Sequence, residues 1–519
     1  MFTADSLLAS LKTNTKTKPS QQQRQQQKQK QQRAPAAQSA AATTPVAPSA
    51  NNVPTGPARE VSVFNPHIPV PSACLPLPPA LQILSSALPR KYLSDTLDAR
   101  SDALNNAIAA CSSTTAKSRS PETDTGKENV DYFSEDVFWG QILPDSQSAS
   151  TAGSKLNAAS VILETDRNYG AKKYSLDLSD CSLYSLFPGQ IVGVKGSCIP
   201  NSSASNTTLD SSIKASAIIY PSIPSVPSTP VGKIIQYYKN AGTGSLNIAV
   251  SCGPYTSAED LSFRYLEGIK DMICSSEAPI NAIVLIGPFL DDRHPLLRSG
   301  RLGDVSGPDQ LFREQISARL KAMLDSFPDL KIIMVSSEHE LVSNFCCYPT
   351  PPLVAQFTNA ETQIKKEQLG LLDEQVPVIS LSNPCTFALN EIHIHIDAMD
   401  DRLLELSKAE FSSQDASAGG ARIPRLFSHI LQQDACQNAS LGGVDLYVFP
   451  SKLKPGVFEI EDGEGNKMLG LNPGRGAGSF GLAAFFPLIL EDSTGADDEG
   501  ARCRHHVSER CRFDLLKVS

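Results

Sequence analysis

The sequence predicts an α/β domain joined to a smaller all-β domain. Two observations lead there. In the middle of the chain three short apolar runs alternate with helical segments: Leu246-Asn-Ile-Ala-Val250, Ala282-Ile-Val-Leu-Ile286 and Lys331-Ile-Ile-Met-Val335. Runs of that length, each ending in a loop, are the pattern of a parallel sheet buried on both faces. Ahead of them, over residues 131–228, short strand-like segments follow one another with turn residues between. A third feature sets the limits: residues 1–89 are so biased in composition that they predict a disordered arm.

In a parallel sheet, ligands bind where the strands end at their carboxyl edge. The first run breaks into Ser251-Cys-Gly-Pro-Tyr255, the second into Gly287-Pro-Phe289 and the third into Ser336-Ser-Glu-His339. This plan resembles the calcineurin-like metallo-phosphoesterases, whose corresponding loops carry Asp-x-His, Gly-Asp and Gly-Asn-His-Asp/Glu around two divalent ions. Two ions about 3.5–4 Å apart need carboxylates and imidazoles to offset their charge. Here Ser251 and Gly253 stand in place of Asp and His, Pro288 stands in place of the second Asp, and the third loop offers only Glu338, His339 and Glu340. The expectation is a retained scaffold with a lost centre: no catalytic residue, no metal and no cofactor.

The flanking helices follow from periodicity. Leu261, Tyr265, Ile269 and Met272 recur at helical spacing, behind a capping-box pattern at Thr256, Ser257, Glu259 and Asp260. Phe312, Ile316, Leu320 and Met323 mark a second helix. Ile392, Ile394 and Ile396 alternate with His393 and His395, which predicts a strand with one buried face and the histidines on the other. His-x-His could ligate a metal, but strand alternation explains it without one. Cys503, His505, His506 and Cys511 match no common zinc spacing, and Arg502, Arg504 and Arg510 add opposing charge, so they are assigned to a terminal strand region. Residues 491–499 form an acidic surface loop.

In the all-β segment, residues 160–163, 174–178, 191–195 and 216–220 have strand character, with a tight turn at 187–190 and a polar inserted loop at 201–212. Strands of this size and spacing suit a five-stranded barrel of the OB type. Such barrels can hold single strands on stacked aromatics beside basic grooves. Tyr169, Tyr174, Tyr184, Phe187, Arg167, Lys172 and Lys173 are available. They do not interleave, so they are assigned to barrel packing and a solvated turn, and any DNA contact is expected to be weak.

Before the barrel, residues 90–112 predict one amphipathic helix on the body, through Leu93, Leu97, Leu104, Ile108 and Cys111, and 113–130 a polar linker. Residues 2–12 could form a short amphipathic helix, either a frayed terminus or a docking peptide. A Gln tract with scattered Lys and Arg covers 20–33. Thr44-Pro45 and Ser120-Pro121 are candidate proline-directed phosphorylation sites, and Lys127-Glu-Asn129 is either a degron or an ordinary loop.

The chain of 519 residues has room for two or three domains. A net charge of −9 gives no global argument for nucleic acid, and no apolar stretch reaches the length of a membrane span. The twelve cysteines contain no C-x-x-C pair, which predicts separate thiols in a reducing compartment.

Six motifs occur in order, each at the end of an expected element. They are Val161-Ile-Leu-Glu164, Tyr184-Ser-Leu-Phe-Pro-Gly-Gln190, Ser251-Cys-Gly-Pro-Tyr-Thr256, Gly287-Pro-Phe-Leu-Asp291, Asn383-Pro-Cys385 with Asn390-Glu391, and Asn472-Pro-Gly-Arg475. Together they resemble the B subunits of DNA polymerase α–primase over about residues 90–519. The resemblance implies an OB barrel at 131–228 and an inactive phosphoesterase-like domain at 229–519. It implies a nuclear, non-catalytic regulatory subunit that scaffolds replication initiation and primer synthesis. Its partners would be the C-terminal zinc domain of the catalytic subunit, the primase subunits through the complex, and other replisome proteins, with no membrane. Partner-binding or structural candidates are Gly253, Pro254, Tyr255, Gly287, Pro288, Phe289, Asn383, Pro384, Asn472, Pro473, Gly474 and Arg475. The small helical N-terminal domain usual in that family has no counterpart at this start. The alternative is a divergent metal-dependent phosphoesterase or 3′-exonuclease, which His339, His393 and His395 would have to serve.

Overall fold

In the computed structural model the three apolar runs are neighbouring parallel strands, Leu246–Cys252, Ala282–Ile286 and Lys331–Val335, and a fourth, Val378–Leu381, extends them. The structure describes residues 59–86, 95–119, 137–145, 156–167, 170–200, 211–239, 241–242, 244–275, 280–355, 360–374, 376–413, 422–437, 443–476, 478–488 and 501–518. Every residue of the first two strands is buried. Three antiparallel strands complete a seven-stranded sheet: Ser479–Phe485 beside the first strand, then Cys511–Lys517, then Arg59–Phe64 at the edge. The sheet is therefore mixed, where the apolar runs alone predict only its parallel part.

A second sheet has six strands in the order Gly456–Glu461, Lys467–Asn472, Leu446–Val448, Ile392–Ile396, Cys385–Leu389 and Leu81–Ser86. The two sheets face each other. Ile248, Val250, Val284 and Ile333 of the first share one core with Phe387, Ile394, Val448 and Leu471 of the second. The outer face of the first sheet is covered by the helices Arg264–Ser275 and Ala318–Ser326, with Leu266, Ile269, Phe312 and Leu320 packed on Ile283 and Leu285. The helices Arg402–Ala409 and Arg422–Gln437 cover the second sheet, where Leu403, Phe427 and Ile430 meet Tyr447 and Met468. The result is four layers: helix, sheet, sheet, helix. Each fully buried Phe, such as Phe312 or Phe427, contributes roughly 1.5–3 kcal/mol.

A closed five-stranded barrel precedes these layers, built from Val137–Pro144, Val161–Thr165, Lys173–Asp177, Ser211–Ile219 and Ile191–Pro200. Ile142, Leu163, Leu176, Val192, Val194 and Ile213 fill it. Its opening strand, Val137–Pro144, is not apparent from the sequence. Gly140, Gln141 and Pro144 break its apolar pattern, yet it pairs on both sides and closes the barrel. The strand Ser211–Ile219 begins inside the segment expected to be a polar loop.

Several expectations are corrected. Composition predicts a disordered arm through residue 89, but Arg59–Phe64 and Leu81–Ser86 form edge strands on the two sheets. Between them Leu75 bonds Ser245 through its N–H and accepts from Asn281 at 3.1 Å. The partner strands supply an ordering that composition alone cannot show. The helix expected at 90–112 spans Leu97–Arg119 instead, reaching into the expected linker. Thr96 caps it by accepting from the Ala99 N–H at 3.2 Å. Leu97, at the first turn, is therefore exposed, while Ile108 and Cys111 are buried. The helix after the first strand starts at Arg264 and not at the capping-box residues. There Thr256 Oγ1 donates to the Asp260 carbonyl at 2.9 Å, and Asp260 accepts from Ser262, which makes a turn. His395 is buried and does not face solvent, because helices cover that side of the strand too. Cys111 and Cys436 form a disulfide with Cα atoms 5.1 Å apart, in place of the separate thiols expected. Residues 2–12, the Gln tract, Thr44, Ser120, 127–129, Tyr169 and 491–499 lie outside the described residues.

Candidate functional site at the carboxyl edge of the sheet

The four parallel strands deliver their loops to one edge. Ser251 lies near the end of the first, and its Oγ donates to the Ser479 carbonyl at 3.1 Å, so it is spent within the sheet. Gly253 follows, joined to Pro254 by a cis peptide, as Gly287 is to Pro288. The Gly253 N–H donates to the Ile286 carbonyl at 2.8 Å. A Cβ on Gly253 would lie 2.1 Å from the Pro288 carbonyl oxygen, so only glycine permits this approach of the two loops. Tyr255 and Phe289 stack at 5.6 Å and 20°, and Phe289 sets its edge on Phe312 at 6.0 Å. The Tyr255 hydroxyl reaches the Ile286 carbonyl at 3.0 Å and the Ser251 carbonyl at 3.2 Å. Both rings are 1% exposed and brace the first two loops against each other.

Glu340 seals the next position. Its two oxygens accept from the Phe289 N–H at 2.6 Å and the Leu290 N–H at 2.9 Å. Burial pushes its carboxyl up to about 8 against the pull of those two donors, and Asp291 and Asp292 push the same way as burial. It is a hydrogen-bonding brace, and its burial and acidic neighbours favour the protonated form. Cys252 is also buried here, and burial raises its thiol to about 11.

The remaining candidates are also bonded within the fold. Asn383, fully buried and joined to Pro384 by a cis peptide, accepts from the Ala398 N–H at 2.9 Å. Asn472 accepts from Ser451 and Gly474 and donates to the Leu453 and Lys454 carbonyls, all within 3.2 Å. That fixes the turn Pro473-Gly474, where Gly474 has φ 88°. The turn delivers Arg475, whose side chain is 2% exposed, to the same edge.

Outside this sealed layer lies a cluster in which Asp400, not singled out from the sequence, joins Glu338 and His339. Glu338, His339 and Asp400 bring ligand-type atoms within 4.8 Å of one another. His339 Nδ1 is 3.2 Å from Asp292, and its Nε2 is 3.8 Å from Glu338 and 3.7 Å from Asp400. Arg293 binds Asp291 at 3.2 Å and Asp400 at 3.0 Å. The acidic run from Asp397 to Asp401 is the available signal, but its place opposite His339 depends on the second sheet. Two metal ions do not fit here. Gly253 and Pro288 offer no side-chain donor, Ser251 is bonded within the sheet, and Glu340 is committed to two backbone N–H groups.

The other histidines do not join this edge. His395 Nδ1 lies 2.9 Å from Thr386 Oγ1, and burial lowers its basicity. His505 is held between Asp445 and Thr229, each at 2.8 Å, and His393 sets its ring edge-on at 5.7 Å. Cys503, His505, His506 and Cys511 do not converge on a ligand set among the described residues.

The barrel meets the body through buried polar groups that sequence reasoning misses. Ser185 Oγ donates to Glu410 at 2.7 Å and lies 2.9 Å from His429 Nε2, while Gln433 bonds both backbone groups of Ile191. Burial lowers His429 to about 4, so it is neutral at this joint. Tyr174 packs on Phe138 and Tyr184 on Phe411. Arg167 pairs with Asp102 at 3.4 Å and Lys173 with Glu164 at 3.7 Å. Tyr174 and Tyr184 thus pack within the fold, while Arg167 and Lys173 pair at its surface.

The architecture is a five-stranded barrel bonded to a four-layer body with a closed strand edge, and likeness to known proteins identifies its kind. Residues 94–210 match the family model for the OB domain of DNA polymerase alpha B subunits, and residues 248–436 match that for the B subunits of DNA polymerases alpha and epsilon. The chain belongs to this B-subunit family of DNA polymerases alpha and epsilon, on its alpha side. It is 25% identical over 410 residues to the DNA polymerase alpha B subunit of Schizosaccharomyces pombe, covering 74% of this chain and 64% of that protein. It is 29% identical over 321 residues to that of Saccharomyces cerevisiae, covering 60% and 41%. To that of Bos taurus it is 26% identical over 323 residues, covering 60% and 46%. The chain thus spans less than two thirds of each of these relatives.

Proposed function

We propose that this chain is a non-catalytic accessory subunit of a DNA polymerase α–primase assembly, built on an inactive calcineurin-like phosphoesterase body. It binds the C-terminal zinc domain of the polymerase catalytic subunit through the barrel and the body together. Through that complex it connects to the primase subunits and other replisome proteins in the nucleus, as a scaffold for initiation and primer synthesis. Thr44 and Ser120 are the proposed sites where phosphorylation tunes those contacts, each adding about −1.5 to −2 charge.

The observation that carries this reading is the sealed edge. Where a hydrolase would place metal ligands, Gly253, Pro288 and the Tyr255–Phe289 stack close the strands, and Glu340 caps backbone N–H groups. Family membership supports it. None of the described helices is long and apolar enough to cross a membrane. The Glu338–His339–Asp400 cluster favours the second reading, a residual metal-dependent phosphoesterase or 3′-exonuclease. Both are tested by incubating the purified chain with bis-nitrophenyl phosphate and with 3′-ended DNA, with and without manganese. No turnover is expected. Hydrolysis that His339→Ala abolishes would replace the first reading with the second.

A further inference from the structure

The loops of a metallo-hydrolase edge gather acidic groups around cations, and here, although Ser251 and Pro288 stand in place of two of them, other acidic groups still face the edge. Asp400 and Glu338 remain at the edge beside His339, with Asp291 and Asp292 near. Something must offset that charge. Arg475 is placed to do so. Its side chain is almost wholly buried, a costly position for a guanidinium without an opposing charge. Yet it is poorly hydrogen-bonded. Among the described residues, Nη2 is buried with no hydrogen-bond partner and Nη1 has the Met399 carbonyl at 3.5 Å. What Nη2 does face is Asp400 Oδ1, at 3.7 Å. The group thus serves as a positive charge more than as a donor. Burial works against the Asp400 carboxylate, but Arg293, Arg475 and His339 together hold it below its ordinary range.

The backbone commits Arg475 to this place. Asn472 pins the preceding turn, and Gly474 and Gly476 on either side both have positive φ. The Gly476 N–H donates to the Cys252 carbonyl at 3.1 Å, which ties the arginine's turn to the first strand's loop. Arg293 approaches the same Asp400 oxygen from the exposed side at 3.0 Å. The other oxygen, Oδ2, still faces His339 Nε2.

We propose that the guanidinium of Arg475 takes the place of a divalent cation at the carboxyl edge, and that Glu338, His339 and Asp400 are a cation site held shut from inside by that arginine. This rests on the phosphoesterase-like reading of the fold and explains how such a body keeps its acidic loops without metal. Removing the guanidinium should reopen the site, because a like charge a few ångströms from a bound ion weakens binding severalfold to many-fold.

The experiment measures manganese binding to the full chain by equilibrium dialysis and thermal unfolding. The proteins are wild type, Arg475→Ala, Arg475→Gln and Arg475→Ala with Asp400→Asn. Arg475→Gln keeps most of the volume should the alanine variant fail to fold. The expected result is weak binding to wild type and no manganese-dependent rise in its Tm. Either single variant should have a lowered Tm, partly restored by manganese, and bind one ion per chain at least roughly tenfold tighter. The added Asp400→Asn should abolish both gains. Binding by wild type as tight as by the variants, or no binding by either folded single variant, would overturn the proposal. Phosphodiester hydrolysis, followed in the same samples, separates the two claims: tight binding by wild type without turnover defeats only this inference, whereas turnover by wild type defeats the non-catalytic reading as well.

Discussion

Glu340 shows how one residue reports the state of the whole edge. It is an acid in sequence but serves as a buried cap on Phe289 and Leu290. Its carboxyl is raised from the usual 4.5 to about 8, so the folded chain binds its proton more tightly than the unfolded chain. Its contribution to stability is full below the unfolded value, about 4.5, and is lost as pH rises to about 8. Glu340→Gln removes the titration and nearly keeps the shape, at a pH-independent cost because its amide nitrogen cannot accept the second N–H. Its stability relative to wild type should therefore rise across that window, by an amount on the order of a few kcal/mol. Glu340→Ala should be destabilised by about 1–3 kcal/mol for each N–H left unbonded. Urea unfolding of the three proteins at several pH values checks this, and parallel curves for wild type and Glu340→Gln would contradict it. His339, next to Glu340 in the chain, can be recognised in sequence as a leftover ligand. The charge role of Arg475 cannot, because it depends on Asp400, which reaches it only through the folded sheets.

At the scale of elements, the segment 59–86 changes the account most. It adds an edge strand to each sheet and bridges them through Cys74, beside Ser245, and Leu75. Removing residues 1–58 should leave thermal unfolding unchanged, since that composition buries little. Removing residues 1–86 should lower Tm and expose the edges of Cys511–Lys517 and Cys385–Leu389 to self-association. Equal Tm values for the two truncations would contradict the strap. The central strands are legible in sequence because each is an unbroken apolar run with a loop behind it. The strap and the strand Val137–Pro144 are not, because prolines, glycines and polar residues mask short pairings that only their neighbours define. The burial of His395 escapes the sequence for a related reason. Alternation marks two faces of a strand, but it does not say that one of them meets water.

For the whole molecule, the buried polar joint of Ser185, Glu410, His429 and Gln433 ties the barrel to the body. A partner therefore meets a composite surface and not two independent domains. In the proposed scaffold role, a permanent interface should be large and apolar at its centre. The boundary for testing it is residue 59, because the strap belongs to the body. The most direct measurement is co-expression of residues 59–519 with the C-terminal zinc domain of a DNA polymerase α catalytic subunit, followed by size-exclusion chromatography at micromolar concentration. The account predicts one peak containing both chains in equal amounts, unchanged in affinity when the full chain replaces residues 59–519. Two well-folded proteins eluting separately would contradict it.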